Sequence, residues 1–210
     1  MVYKNLRIQF EKRDELKYIS HLDLCRTLRT ALKRAGIAVR YSEGFNPHPR
    51  MTFTLPPPLG TESLCEYMDI QVPQALTGEQ VCEGLNRQST PALRFLRAYE
   101  PASKLTDIAF AAYDMEFSGA YDQGQIESVL KNPPTIMKKT KKGIERAVPL
   151  APFIHGYTLE SAPHALRLTV RLSASPQAYL NPEHLAGLFE AEAIQITRRA
   201  VFFSDGTPFS

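Results

Sequence analysis

Two neighbouring segments near the start of the chain contain the side chains best suited to chemistry. The segment SHLDL begins with Ser20 and His21. The Gly- and Pro-rich segment GFNPHPR carries Asn46, His48 and Arg50. Histidine gains or loses a proton near neutral pH, and arginine binds phosphate or carboxylate groups through paired N–H donors. These residue types point to a site that binds an anion or transfers a proton.

A helix is predicted to begin at the first segment. Ser20 occupies the N-cap position, and Asp23 follows three residues later, where a capping box has its acidic partner. Apolar residues then recur with the period of a helix, and Gly36 ends it as a C′ residue. Basic side chains recur on another face: Arg26, Arg29 and Lys33. The sequence thus predicts an amphipathic helix with a basic outer edge.

Strand patterns surround this helix in the first half of the chain. Stretches that are rich in β-branched or aromatic residues, or that alternate apolar and polar side chains, predict strands. They cover residues 6–10, 37–42, 66–72 and 92–100, and LKYIS (16–20) and MTFTL (51–55) are also extended. A second helix is predicted to follow Thr77 as its N-cap. The order β-α-β-β-α-β is that of a ferredoxin-like fold.

The second half repeats this order of elements with weaker signals. Strands are predicted at 109–117, 165–173 and 193–203, and helices at 121–131 and after Asn181, with Pro182 at the first helical position. The segment PASKLT between the halves has the composition of a linker. We therefore expect an α+β protein of two tandem ferredoxin-like domains, residues 1–101 and 107–210.

In such a fold, the loop beyond the second strand can fold back toward the N-terminus of the first helix. A helix N-terminus attracts anions through its unpaired N–H groups and the positive end of its dipole. A pocket for phosphate or carboxylate is expected there, formed by Ser20, His21, Asn46, His48 and Arg50. Aromatic rings in the same region could stack on bases: Tyr18, Tyr41 and Phe45.

Other interpretations of the same residues stay open. In a purely structural one, Asp23 completes the N-cap, His21 hydrogen-bonds a buried carbonyl, and Asn46 shapes a turn before Pro47. His21, Asp23 and His48 have the ligand types of a zinc or iron site, but their spacing matches no compact ligand motif. His21 and His48 could also form an acid–base pair that cleaves RNA without a metal. CRISPR-repeat endonucleases with tandem ferredoxin-like domains have a catalytic histidine near the first helix, which is a resemblance of fold alone.

Positive charge is concentrated in two parts of the chain. The net charge is +3, yet residues 1–50 alone hold 11 Lys/Arg against 5 Asp/Glu. The second basic part is a predicted hairpin loop with four lysines: Lys138, Lys139, Lys141 and Lys142. Phosphates are bound by such residues whatever the nucleotide sequence, so RNA is the first candidate partner. A solvated helix face and a solvated loop would have the same composition.

Composition predicts a folded protein in the cytoplasm. Apolar residues make up 43% of the chain and charged residues 22%. No apolar run approaches 18 residues, and charges occupy the positions where a signal peptide is hydrophobic, so no membrane partner is expected. The three cysteines have no C-x-x-C spacing, which argues against a disulfide framework and against a cysteine-only zinc or iron–sulfur site. We expect no cofactor and small buried cysteines.

Several motifs between residues 16 and 70 resemble one family. SHLDL, TALKRAG, YSEGFNPHPRMTF, PLGTES and EYMDI occur in this order. They resemble the radical-SAM-linked, or radical-SAM-associated, proteins, which are built on a domain of unknown function. Members are fused to, or encoded beside, a radical-SAM protein with a cobalamin-binding-type domain, often near genes for ribosomal proteins and an RNA-processing nuclease. The resemblance therefore implies a radical-SAM partner, and it transfers no catalytic residues.

The chain itself has no Cys-x-x-x-Cys-x-x-Cys motif, so we expect it to be a non-catalytic companion of the radical-SAM enzyme. The leading hypothesis is an accessory, RNA-binding protein for RNA or ribosome modification. In it, the basic residues of the helix and the lysine loop hold phosphates, and Asn46, His48 and Arg50 form the specific pocket. The alternatives are a metal-independent RNA endonuclease that uses His21 and His48, and an adaptor that binds only protein.

Overall fold

A computed structural model describes residues 2–139, 143, 145–162 and 165–209. Its strands are β1 (Tyr3–Lys12), β2 (Met51–Phe53), β3 (Thr61–Pro73), β4 (Leu93–Tyr99), β5 (Phe110–Tyr121), β6 (Thr135–Lys139), β7 (Glu145–Pro149), β8 (Ile154–Ala162), β9 (Ala165–Ser173) and β10 (Ala191–Phe202). Its α-helices are α1 (His21–Arg34), α2 (Gly78–Asn86), α3 (Gln123–Lys131) and α4 (Pro182–Ala186). None of the helices in these ranges has both the length and the apolar character needed to span a membrane.

Eight of the described strands form one mostly antiparallel sheet. Its order is β4-β1-β3-β10-β5-β9-β8, and β2 also pairs with β3. The first half of the chain thus contributes the order β4-β1-β3-β2, and the second half contributes β10-β5-β9-β8. The halves meet where β10 runs parallel to the start of β3, with Ile196 opposite Thr61 and Arg198 opposite Ser63. The protein is therefore a mixed α and β structure in which both halves share a sheet.

The apolar residues are buried in two clusters. In the first half, Leu28 of α1 is fully buried in one cluster with Ile8 and Phe10 of β1. This agrees with the alternation predicted for the first strand and with the apolar stripe predicted for the helix. The second cluster contains residues of the second half together with Cys65 and Tyr67 of β3. Strand β3 therefore contributes to both clusters.

The predicted helix boundaries follow from local capping. The Ser20 hydroxyl accepts a hydrogen bond from the Asp23 N–H (3.1 Å), and Gly36 after α1 has a φ of 67°, which favours glycine. Thr77 forms a complete capping box with Gln80. The Asn181 side chain accepts from the N–H of Glu183 at the start of α4. The predicted N-caps of these three helices are confirmed.

Two predicted extended segments are wrong. Residues 37–42, which the structure describes in full, form no strand, and a single bridge between Tyr41 and Pro49 is their only ladder contact. Pro47 and Pro49 have no N–H to donate, so this segment cannot pair continuously with the chain that follows it. The shorter β2 pairs with β3 instead. Residues 16–20, predicted to be extended, lie largely in a 3-10 helix, Asp14–Tyr18.

Arg198 joins the two halves of the sheet. Its side chain is 3% exposed, and it donates to the Glu66 carboxylate of β3, whose side chain is 5% exposed. It also donates to the Ser63 hydroxyl (3.3 Å) and to the Leu55 carbonyl oxygen (2.8 Å). Burial by itself would lower the pKa of Arg198, but the Glu66 charge raises it above its usual value. One charged guanidinium therefore connects β10, β3 and the loop that begins at Leu55.

Replacing Arg198 with alanine is expected to lower the free energy of unfolding by about 3–5 kcal/mol, because the buried Glu66 carboxylate would lose the cation that is hydrogen-bonded to it. Urea unfolding followed by circular dichroism measures the loss. The matched control is Arg87→Ala, which removes an exposed ion pair with Glu83 and should change the free energy by less than about 1 kcal/mol. Equal losses in the two variants would contradict the role assigned to Arg198.

Candidate functional site

The GFNPHPR loop lies against the first turns of α1. His48 and Arg50 of the loop and His21 and Arg29 of the helix line one pocket of about 370 Å³. Cys25 and the residues of β2 complete its wall. The structure thus brings together four of the side chains that the sequence singled out. We name this cavity the loop pocket.

Ser20 and Arg26 have other partners. The Ser20 hydroxyl donates to the Asp23 carboxylate (2.7 Å) and accepts from its N–H, as an N-cap does. Arg26 forms an exposed ion pair with the same carboxylate (2.9 Å). These bonds lower the pKa of Asp23 below its usual value, the Ser20 bond having the largest effect. Asp23 therefore stays ionised and neutralises part of the positive charge of Arg26.

Asn46 and Lys33 also lie outside the loop pocket. Asn46 is exposed, and its carbonyl oxygen lies 3.2 Å from His48 Nδ1. Lys33 lines an adjoining cavity of about 620 Å³ together with Arg29, Arg34 and Tyr41. We name this cavity the basic pocket. Because Arg29 lines both cavities, the two lie side by side along α1.

The predicted lysine loop is described only in part. Lys138 and Lys139 lie in β6, which pairs with β7 as the predicted hairpin, with Lys138 opposite Arg146. Lys141 and Lys142 lie outside the described residues. Burial first, and then the charge of Lys138, lower the pKa of His184 in α4. Lys138 therefore lies near α4, and it does not line the loop pocket or the basic pocket.

His21 lies where three cavities meet. Besides the loop pocket, it lines a cavity of about 560 Å³ with Arg198 and Phe53, and one of about 310 Å³ with Lys12 and Ser20. Its ring meets the Phe53 ring edge-on at 5.1 Å. Burial has the largest effect on the pKa of His21 and lowers it, Glu66 opposes the shift, and Lys12 adds to it. At neutral pH the imidazole is therefore uncharged.

His48 is held by its own loop. Its Nδ1 lies 3.0 Å from the Ser42 hydroxyl, which also accepts a hydrogen bond from the His48 N–H (3.1 Å). The Ser42 N–H in turn donates to the His48 carbonyl oxygen (2.8 Å). With Nδ1 engaged by the loop, Nε2 is the ring nitrogen that can meet a ligand. Sequence reasoning missed Ser42, because no spacing rule connects it to His48.

A buried group of charges beneath His21 was not predicted from the sequence. It consists of Lys12, Glu66 and Arg198, which are each less than 5% exposed. The sequence did contain a signal for Lys12. It lies two residues after Phe10 and therefore on the same face of β1 as the buried Ile8 and Phe10. A charged residue in phase with buried apolar positions indicates a buried partner, because isolated buried charges are rare.

The described residues hold no group of three or more His, Cys, Asp or Glu side chains that could bind a metal ion. His21, Asp23 and His48 accordingly do not form the metal site considered as an alternative. Cys25, Cys65 and Cys82 are free and buried, as expected. Burial raises the pKa of the Cys65 thiol to about 12, so this thiol is not a reactive nucleophile at neutral pH.

A family model matches residues 5–182, which is most of the chain. It describes an uncharacterized protein conserved in bacteria (DUF2344). The chain belongs to this family. No curated protein matches the chain.

Among solved structures, this DUF2344 protein is similar to a crystal structure of an unknown protein from Galdieria sulphuraria. The two are 13% identical, and the match covers 89% of each chain with a TM-score of 0.27. A likeness of that size supports no inference about fold or function.

The lowered pKa of His21 predicts a proton NMR titration midpoint below 6.5 in the free protein. Since the unfolded chain would then take up the proton at higher pH than the folded one, His21 should lower stability as the pH falls through 6.5. Lys12→Met should raise the midpoint, because the Lys12 charge disfavours the imidazolium. A midpoint at or above 6.5 in the free protein would contradict this.

Proposed function

We propose that this protein is an accessory, RNA-binding protein that works with a radical-SAM partner in RNA or ribosome modification. The convergence of His21, Arg29, His48 and Arg50 on the loop pocket carries the RNA half of the proposal. Guanidinium groups bind phosphate oxygens in pairs, and neutral imidazoles donate or accept single hydrogen bonds. Such a set of groups fits a nucleotide, whose phosphate is charged and whose base and sugar are not.

The basic pocket extends this surface along α1. Arg29, Lys33 and Arg34 line it together with the exposed ring of Tyr41. Phe45, at the tip of the neighbouring loop, is fully exposed. Cationic grooves with exposed aromatic rings are typical of proteins that bind single-stranded nucleic acid, because bases stack on the rings. We propose that the RNA backbone follows the basic pocket and that one nucleotide enters the loop pocket.

The radical-SAM partner is supported by the resemblance of the motifs between residues 16 and 70 to radical-SAM-linked proteins. The chain would then present RNA to that enzyme while holding no iron–sulfur cluster itself. Co-purification of the two proteins after nuclease treatment and at high salt would indicate direct protein contact. An adaptor that binds only protein would show this contact and no affinity for RNA.

We also propose that each half of the chain is a ferredoxin-like domain. In both halves the described elements follow the order β-α-β-β-α-β, apart from the added hairpin of β6 and β7. In both, the sheet places the first strand between the fourth and the third, as β4-β1-β3-β2 and β10-β5-β9-β8 show. A shared sheet would then fix the two domains relative to each other.

The RNA proposal predicts that Lys33→Glu/Arg50→Glu weakens binding of single-stranded RNA by roughly tenfold to a hundredfold, because two attractive charges next to phosphates become repulsive. Both side chains are exposed, so the variant should fold. Fluorescence anisotropy with a labelled oligonucleotide measures affinity at several salt concentrations. The slope of log affinity against log salt should fall by about 0.7 for each phosphate that is no longer bound by a cation.

The matched control is Arg87→Glu/Arg94→Glu, which makes the same change in net charge at exposed positions that line neither the loop pocket nor the basic pocket. It should leave the salt slope nearly unchanged. If the wild-type protein does not bind RNA at low salt, or if both double variants weaken binding equally, the surface along α1 is not an RNA site.

A metal-independent ribonuclease is the second candidate, favoured because His21 and His48 line the same pocket. His21, whose imidazole is neutral, could act as the base and His48 as the acid. This function predicts RNA cleavage in EDTA that His21→Ala abolishes while RNA affinity persists. Intact RNA after incubation with wild-type protein between about pH 5.5 and 7.5, the range in which histidine pairs work, would exclude it.

A further inference from the structure

The cavity of about 310 Å³ beneath the N-terminus of α1 contains a buried lysine. Lys12 is 3% exposed and lines this cavity. Within the described part of the chain, no hydrogen bond or ion pair to its ammonium group is present, although Glu66 and Arg198 act on it electrostatically. An ammonium group that loses most of its contact with water and gains no acceptor favours a negative partner in the cavity that it lines.

The neighbouring charges cannot supply that partner. Glu66 is the carboxylate that acts most strongly on Lys12, and it is bonded to Arg198. Two cations, Lys12 and Arg198, thus share one buried anion, and the group keeps one excess positive charge. Burial lowers the pKa of Lys12, the Glu66 charge opposes this shift, and the Arg198 charge adds to it. A ligand with one negative charge would balance the group.

The rest of the cavity wall is mostly apolar. Ile19, the residue before the cap of α1, and Leu24, near the start of that helix, contribute apolar side chains. The other apolar side chains come from residues 56–59, which are three prolines followed by Leu59. Ser20 and His21 add the polar start of α1, a helix of 14 residues whose N-terminus favours negative charge. The hydroxyl of Ser20 is already engaged with Asp23, so Lys12 is the charged group that this wall offers to a ligand.

We infer that this cavity binds a small carboxylate ligand, with the carboxylate on Lys12 and an apolar body against the proline wall. A carboxylate carries the single charge that the buried group lacks, whereas a phosphate dianion would exceed it. The proline segment is stiff, so the wall is preformed and loses little conformational entropy on binding. The inference does not depend on RNA binding, because Lys12 lines neither the loop pocket nor the basic pocket.

Binding is tested with benzoate and butyrate as probes, and with benzamide and inorganic phosphate as comparisons. Calorimetry gives affinities, and the NMR resonances of the Lys12 side chain in the wild-type protein report contact directly. We expect saturable binding of the two carboxylates and a shift of the Lys12 resonances. Benzamide and inorganic phosphate should each bind at least tenfold more weakly than benzoate.

Lys12→Met should lower benzoate affinity at least tenfold, and Lys12→Arg should restore part of it. Lys17→Met is the matched control, because Lys17 pairs with Glu62 and does not line the cavity, and it should leave affinity unchanged. Lys33→Glu/Arg50→Glu should also leave it unchanged, which separates this site from the RNA surface. Absence of carboxylate binding to wild-type protein, equal binding of benzamide, or tighter binding of phosphate would each overturn the inference.

Discussion

The buried ion pair between Arg198 and Glu66 is the constraint on which the rest of the structure depends. Removing a guanidinium and a carboxylate from water is favourable only when nearly every donor finds an acceptor. Arg198 meets this condition through Glu66, Ser63 and the Leu55 carbonyl oxygen. These bonds fix the register of β10 on β3 and hold the loop that begins at Leu55. The pairing of β10 with β3 and the loop that begins at Leu55 in turn position the walls of the cavities around His21.

A second buried arginine, Arg7 of β1, contacts the segment between the halves and the described end of the chain. Arg7 binds both carboxylate oxygens of Asp69 (2.8 and 2.9 Å) and donates to the Ser103 carbonyl oxygen (2.9 Å). Its guanidinium also lies over the Phe209 ring, 4.8 Å from the centroid. The segment between the halves and the described end of the chain are thereby tied to β1. Arg198 and Arg7 each form several hydrogen bonds and fix the segments around the candidate site. The site can therefore be preorganised rather than assembled by a ligand.

The positive side chains around His21 are of two kinds, which differ in their exposure to solvent. Arg29 of the helix and Arg50 of the loop face cavities that open to solvent and can meet a polyanion. Lys12 and Arg198 are mostly buried, line the two other cavities next to His21, and raise the positive potential there. His21 lies between the two sets and stays neutral, because burial and Lys12 outweigh the attraction of Glu66. One histidine can therefore belong to both a polyanion surface and a small-ligand cavity.

The sequence by itself determined what depends on neighbours along the chain. The Ser20 cap, Gly36 and the apolar period specify α1. The approach of the GFNPHPR loop to His21 was expected from the sequence, although the strand predicted before that loop does not form. The tertiary structure alone decided the pairing of β3 with β10 and the meeting of Glu66 with Arg198, which are 132 residues apart. It also overrode the strand propensity of residues 37–42, because Pro47 and Pro49 in the following segment have no backbone N–H to donate. Pairings at such separation arise from burial and charge satisfaction, which no local pattern encodes.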